Sequence, residues 1–323
     1  MPSPQSSSRP SQSGDGDTPI AVLGAGALGR LWAAYLPSGT TGFVPRNASA
    51  LSSFKLNYHL EDDQGREHNV VRRWLTALSG IDLLLVTTKA GDTLDALAPV
   101  VDRLPAPCPI VLFQNGLGSQ QAVAERWPER PLLAASTTEA ANRPTPDRVV
   151  HAARGHTWIG ALTETGAAVT SAVIRQLAQS GLEVRGEERI LERLWGKLAV
   201  NAGINPFTAI LDCRNGDILT SPLFLDHIDA LCDELANLIT AEGLPSHSPR
   251  ELRDNIERVA RNTAANTSSM RGDFQLGRTT EIDYINGYVA SRSRELGLAA
   301  PVNQMLADRV RNLAPHTNPE RSS

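Results

Sequence analysis

The segment PIAVLGAGALGRLWAAYL, residues 19–36, constrains the fold more than any other part of the chain. A short apolar run, Ile20 to Leu23, leads into glycines 24, 26 and 29 in the spacing GxGxxG, and a helical pattern comes next. In that order the first glycine permits a tight turn, the second lets backbone approach a pyrophosphate, and the third lets the helix pack against the strand. A pyrophosphate would then rest on the helix N-terminus. A glycine-rich turn can also exist for packing alone, so the motif gains its meaning from the elements downstream of it.

Those elements alternate between strands and helices. TGFVPR predicts a second strand ending near Arg46, twenty residues after Gly26. An arginine there accommodates a 2′-phosphate, where an acidic residue would select the free ribose hydroxyl, so Arg46 favours NADP over NAD. IDLLLVTTK and PIVLFQNG predict further strands around a helical GDTLDALAPVVDRL, giving a parallel sheet with crossovers. Lys89 and Asn115 fall at strand carboxyl ends, where such sheets hold their ligands. The segment 131–160 predicts short strands and turns closing the sheet, and Thr170 to Ser180 a last helix before LEV.

From Ile190 the strand signals nearly vanish. Helical periods recur through ILERLWGKLAVNAGINPFTAI, SPLFLDHIDALCDELANLITAEG, SPRELRDNIERVARNTAANTSSM, TTEIDYINGYVASRSRELG and PVNQMLADRVRNL, punctuated by Pro and Gly. The fold class is α/β: an N-terminal Rossmann-type dinucleotide-binding domain, residues 18–189, followed by an all-helical substrate and catalytic domain, 190–315. Residues 1–17, rich in Ser, Pro and Gln, read as a disordered tail, and 316–323 as a flexible C-terminus. Two such halves imply an active cleft between them.

One helix is anomalous. KLAVNAGINPFTAI is apolar on most sides, yet it carries Lys197, Asn201 and Asn205 at steps of four, which keeps them on one face. Such a stripe is either a polar seam satisfied by helix ends or by a partner subunit, or the wall of the cleft between the two halves.

A net charge of −4 supplies no basic field for nucleic acid or an anionic membrane. No apolar run is long enough to span a bilayer. Three widely spaced cysteines suit neither a disulfide framework nor a thiolate metal site. A reducing cytoplasm is expected, with no metal.

The combination of GAGALG, TTKAGDT, QNGLG, KLAVNAGINPFTAI, CRNGD and TSSMRGDFQLGRTTEIDYINGY resembles the ketopantoate reductases (2-dehydropantoate 2-reductases) from Pro19 to about Leu313. The resemblance implies reduction of 2-dehydropantoate to (R)-pantoate by NADPH, a step toward pantothenate and coenzyme A, in a monomer or homodimer. It implies that Lys197 is the proton donor and that Asn115, Asn201, Asn205, Asn215 and Ser269 contact the 2-oxo acid. It assigns Gly24, Ala25, Gly26, Ala27, Leu28, Gly29, Lys89, Asn115 and Glu281 to the NADP(H) side, with Ala141 as a backbone contact. The chain departs from the family at Glu139, where a histidine often follows the threonine run. That departure leaves room for a paralogue acting on another 2-oxo acid or carbonyl compound. An NADP-binding sensor without catalysis is the reading from a different class, and the intact polar set argues against it.

Overall fold

The computed structural model describes residues 20–37, 39–47 and 53–313; the expected tail and C-terminus lie outside them. In chain order the first half runs β1 (Ile20–Leu23), α1 (Ala27–Tyr35), β2 (Thr41–Val44), β3 (Lys55–Glu61), β4 (Glu67–Trp74), β5 (Leu83–Val86), α2 (Thr93–Val101), β6 (Ile110–Leu112), α3 (Ser119–Arg126), β7 (Leu132–Thr137), β8 (Ala140–Thr145), β9 (Arg148–Ala153), β10 (His156–Ala161), α4 (Glu164–Ala178) and β11 (Glu183–Gly186). The second half is helical: α5 (Ile190–Leu211), α6 (Pro222–Leu225), α7 (Ile228–Ala241), α8 (Pro249–Asn262), α9 (Ser269–Gln275), α10 (Asn286–Glu295) and α11 (Pro301–Arg311).

The strands of the described residues join one sheet in the order β11-β10-β7-β6-β5-β1-β2-β4-β3-β9-β8. The central five, β7-β6-β5-β1-β2, are parallel, and every residue of β1 and β5 is buried. Alternation explains these uninterrupted apolar runs. Ile20 and Val22 face Leu31 and Trp32 of α1, while Ala21 and Leu23 face Leu97 and Val101 of α2. From β1 the chain moves to β2 on one side and later returns to β5 on the other, so the crevice opens between the ends of β1 and β5.

The outer sheet departs from the sequence expectation. The sequence signals place no strand between β2 and β5, yet the antiparallel hairpin β3–β4 lies there and carries β9 and β8 with it, making the sheet mixed. Asp62 fixes the hairpin turn by accepting from the amides of Gln64 and Arg66, both at 2.9 Å. From β4, buried Arg72 donates to the carbonyls of Ala33, Ala34 and Leu36, closing the C-terminus of α1. Helix α4 also begins earlier than Thr170, because Thr163 caps it by accepting from the amide of Gly166. The expected helix through Met270 stops at Asn262, and α9 starts afresh behind the cap residue Ser268.

Helix α5 is the core of the second half, with Leu194, Leu198, Ile204 and Phe207 packed among α7, α8 and α11. Pro206 lies inside it and has no N–H for the carbonyl of Ala202. Asn286 donates to that carbonyl instead, at 3.2 Å, and also to Asn303 at 2.9 Å. Asn303 and the amide of Val302 in turn donate to buried Glu234, whose carboxylate caps α11.

The two halves meet backbone to backbone at the QNGLG turn. The amide of Leu117 donates to the carbonyl of Tyr284 at 2.9 Å, and a Cβ on Gly116, at φ +80°, would lie 2.0 Å from that oxygen. Gly116→Ala should therefore cost about 2–4 kcal/mol through a positive φ and a backbone overlap that cannot relax locally. Urea denaturation measures the cost, and an unchanged midpoint would mean that Tyr284 does not press on this turn.

Candidate active site

The glycine loop follows the end of β1. Gly24 sits at φ +109° with its carbonyl held by the Thr87 hydroxyl at 2.7 Å, and a Cβ on Gly29 would meet the same carbonyl at 2.1 Å. Among the described residues nothing lies within 4 Å of a Cβ built on Gly26. The first intrahelical bond of α1 runs from Arg30 to Gly26, which leaves the amides of Ala27, Leu28 and Gly29 pointing into that space. The loop therefore fits a diphosphate: donors, a favourable dipole and room.

Past the ends of β5 and β6, Lys89 and Asn115 converge on one buried carboxylate. Glu281, between α9 and α10, accepts from Asn115 at 3.3 Å, from the amide of Ala90 at 3.3 Å and from Lys89 at 3.5 Å. Lys89 also pairs with Asp273 of α9. Burial lowers the Lys89 pKa, but Glu281 and Asp273 outweigh it and leave the ammonium raised. For Asp273, burial prevails over Lys89 and the pKa is raised.

Lys197 arrives from α5 at the end of β7. Its ammonium donates to the carbonyl of Thr137 at 2.8 Å. Burial lowers its pKa from 10.5 to about 8, against the opposing pull of Glu281. Asn201, half-buried, and Asn205, buried, come next on the same helix, turned about 40° per step. The stripe thus begins at the strand ends and leads into the helical half.

The remaining residues are more scattered. Asn215 opens the 3-10 turn Asn215–Thr220; its amide group donates to Thr263 at 3.0 Å, and its buried Oδ1 has no partner among the described residues. Ser269 is exposed at the start of α9, one turn before Asp273 and so on the face that turns toward Lys89. Ala141 lies on β8, half-buried against the sheet core. Arg46 lies two residues beyond β2 with its side chain 89% exposed, 3.8 Å from Asp92. Glu139 is turned away from bulk solvent: its carboxylate meets His151 at 2.7 Å, and His151 in turn meets Tyr35 at 2.9 Å. Asp273 is the site residue that sequence reasoning misses. Its signal there is only that of a carboxylate four residues from Ser269 on a short helix.

An open groove of about 640 Å³ along α11, lined by Ile210, Pro301 and Met305, is separate from this chemistry. Ile210 stands about 20 Å from Lys197 along α5.

Two family models match the chain, one described as ketopantoate reductase PanE/ApbA over residues 20–164, the other as its C-terminal part over 189–314. The chain is 36% identical to the 2-dehydropantoate 2-reductase of Vibrio cholerae, over 91% of this chain and 97% of that one. Among solved structures, a probable 2-dehydropantoate 2-reductase from Bacillus subtilis aligns with TM-score 0.76 at 25% identity, covering 91% and 99% of the two chains. A ternary structure of D-mandelate dehydrogenase with NADH and anilino(oxo)acetate aligns with TM-score 0.81 at 20% identity, covering 90% and 96%, a likeness of fold. A Rossmann-type sheet with a helical second half closing over its strand ends defines the class, that of nicotinamide-dependent oxidoreductases. Within that class, the chain belongs to the ketopantoate reductase family.

The open space at Gly26 generates a direct test. Gly26→Val, at an extended φ of −76° that any residue adopts, should leave the melting temperature nearly unchanged while weakening NADPH by about tenfold or more, because the side chain fills the space a diphosphate needs. Calorimetric titration decides, and undiminished affinity would remove the loop from the cofactor site.

Proposed function

We propose that the protein reduces 2-dehydropantoate to (R)-pantoate with NADPH, in the route to pantothenate and coenzyme A in the cytoplasm. The carrying observation is Lys197: an ammonium of pKa about 8, held by the Thr137 carbonyl at the strand ends and followed along its helix by two carboxamides. Kinship to a curated 2-dehydropantoate 2-reductase across nearly the whole chain supports the substrate.

NADPH, when bound, supplies the hydride. The amides at Ala27 to Gly29 would hold its diphosphate, and Glu281 and Asn115 would partner its ribose and nicotinamide side, with the Ala141 backbone as a further proposed contact. Lys197 polarises the ketone and donates its proton to the developing alkoxide. Burial makes giving up that proton easier, and Glu281 keeps the lysine protonated near neutrality. Asn201 and Asn205 orient the substrate oxygens. The unpartnered Oδ1 of Asn215 is an acceptor suited to a substrate hydroxyl, and Ser269 can donate to the carboxylate. Lys89 stays charged beside its two carboxylates and serves position rather than proton transfer.

Glu139, where the family often has a histidine, meets His151 through one carboxylate oxygen, while the other, Oε1, is buried without a partner among the described residues, two positions from the Thr137 carbonyl that holds Lys197.

Two measurements test the roles. Lys197 must be protonated to act, so kcat/KM should hold at neutral pH and fall as pH rises through about 8. Lys197→Ala should lose roughly 10² to 10⁴ in turnover with NADPH affinity kept, and the same high-pH fall in this variant would assign that ionisation elsewhere.

Arg46 is the proposed partner of the 2′-phosphate, being exposed and only loosely paired to Asp92. Arg46→Ala should weaken NADPH by about 1.5–3 kcal/mol and spare NADH. Equal losses for both cofactors would reject the 2′-phosphate contact.

A further inference from the structure

The chemistry at Lys197 leaves a group of cations on the other side of the glycine loop unused. Arg30 of α1 is buried and serves as a strut, donating to the carbonyls of Ala25 at 2.9 Å and Pro146 at 2.5 Å. Arg143 of β8 donates to the same Ala25 carbonyl at 3.1 Å. Arg278, from the segment joining α9 to α10, donates to the backbone carbonyl of Arg143 at 3.0 Å. A guanidinium from each half of the molecule is thereby anchored beside the loop.

The charge is unbalanced there. Arg30 has Asp147 and the Tyr58 phenol among its favourable neighbours. For Arg143 the pKa is lowered by burial and then by Arg278, and no carboxylate among the described residues offsets either. Among the described residues its Nε is buried without a partner, and its guanidinium donates to a neutral carbonyl. Arg278 borders Asp273, but that carboxylate is already paired with Lys89. Like charges collected around a neutral acceptor are unfavourable until an anion joins them, and a guanidinium fork matches phosphate oxygens. The space open at Gly26, next to Ala25, is where that anion has room.

We propose that Arg143 and Arg278 form a two-sided clamp on the diphosphate of the bound dinucleotide, one guanidinium from the sheet half and one from the helical half. The proposal rests on the reading that this loop takes a nicotinamide dinucleotide. It separates two anion sites: the diphosphate between Gly26 and the clamp, and the 2′-phosphate beyond β2 at Arg46.

The test is equilibrium titration of the full-length protein and of Arg143→Ala and Arg278→Ala with NADPH, NADH, ADP-ribose and adenosine 2′-monophosphate. Each variant should lose about tenfold or more for the three ligands that carry a diphosphate, the scale of a charge-assisted hydrogen bond, and nothing for the monophosphate. Wild-type binding that both variants keep would overturn the clamp and leave the cofactor reading standing. Wild-type protein that binds none of the dinucleotides would overturn both. Losses confined to NADPH and the monophosphate would move the arginines to the 2′-phosphate and overturn the clamp as well. Should Arg143→Ala fail to fold by circular dichroism, Arg278→Ala, which removes one bond to a carbonyl, carries the test on the same ligands.

Discussion

The carboxylate of Glu281 ties the halves of this molecule together. It belongs to the helical half and is only 6% exposed, yet its partners, Lys89, the Ala90 amide and Asn115, all stand just past β5 and β6. A buried charge stripped of such partners costs several kcal/mol, so the helical half cannot retreat without a large penalty. The Tyr284 carbonyl on Leu117 and the Lys197 ammonium on Thr137 reinforce the same alignment. Each of these contacts falls at a strand carboxyl end, which is why the cleft lies there.

Two lysines share this cleft and differ in kind because their surroundings differ. Lys89 touches two carboxylates, so its charge is secured despite burial. Lys197 touches a neutral carbonyl and feels Glu281 only through space, so burial prevails and its pKa falls toward neutrality. The fold thus separates a fixed cation from a labile proton by placing one carboxylate close to the first and farther from the second.

Parts of the site can be read directly from the sequence because they are local. The glycine spacing fixes a turn between neighbouring elements, and the four-residue steps from Lys197 to Asn205 lie within one helix, α5. Residues brought together from distant segments cannot be read this way. Asp273 reaches Lys89 across 184 positions, and Arg143 reaches Ala25 across 118. Along the chain Glu139 reads only as a departure from a family pattern, and its pairing with His151, twelve positions on, is a product of the fold.

By itself, then, the sequence determined the alternating strands and helices at the centre of the first half, the glycine loop and the polar stripe on α5, since periodicity and short spacing act within one element or between adjacent ones, while the family rested on the combination of motifs. Only the tertiary structure decided that β3 and β4 extend the sheet, that Asn286 repairs the carbonyl freed by Pro206, and that Glu281 spans both halves. Those outcomes depend on which buried polar groups find partners, and a buried group's partner is chosen by packing in space rather than by position along the chain.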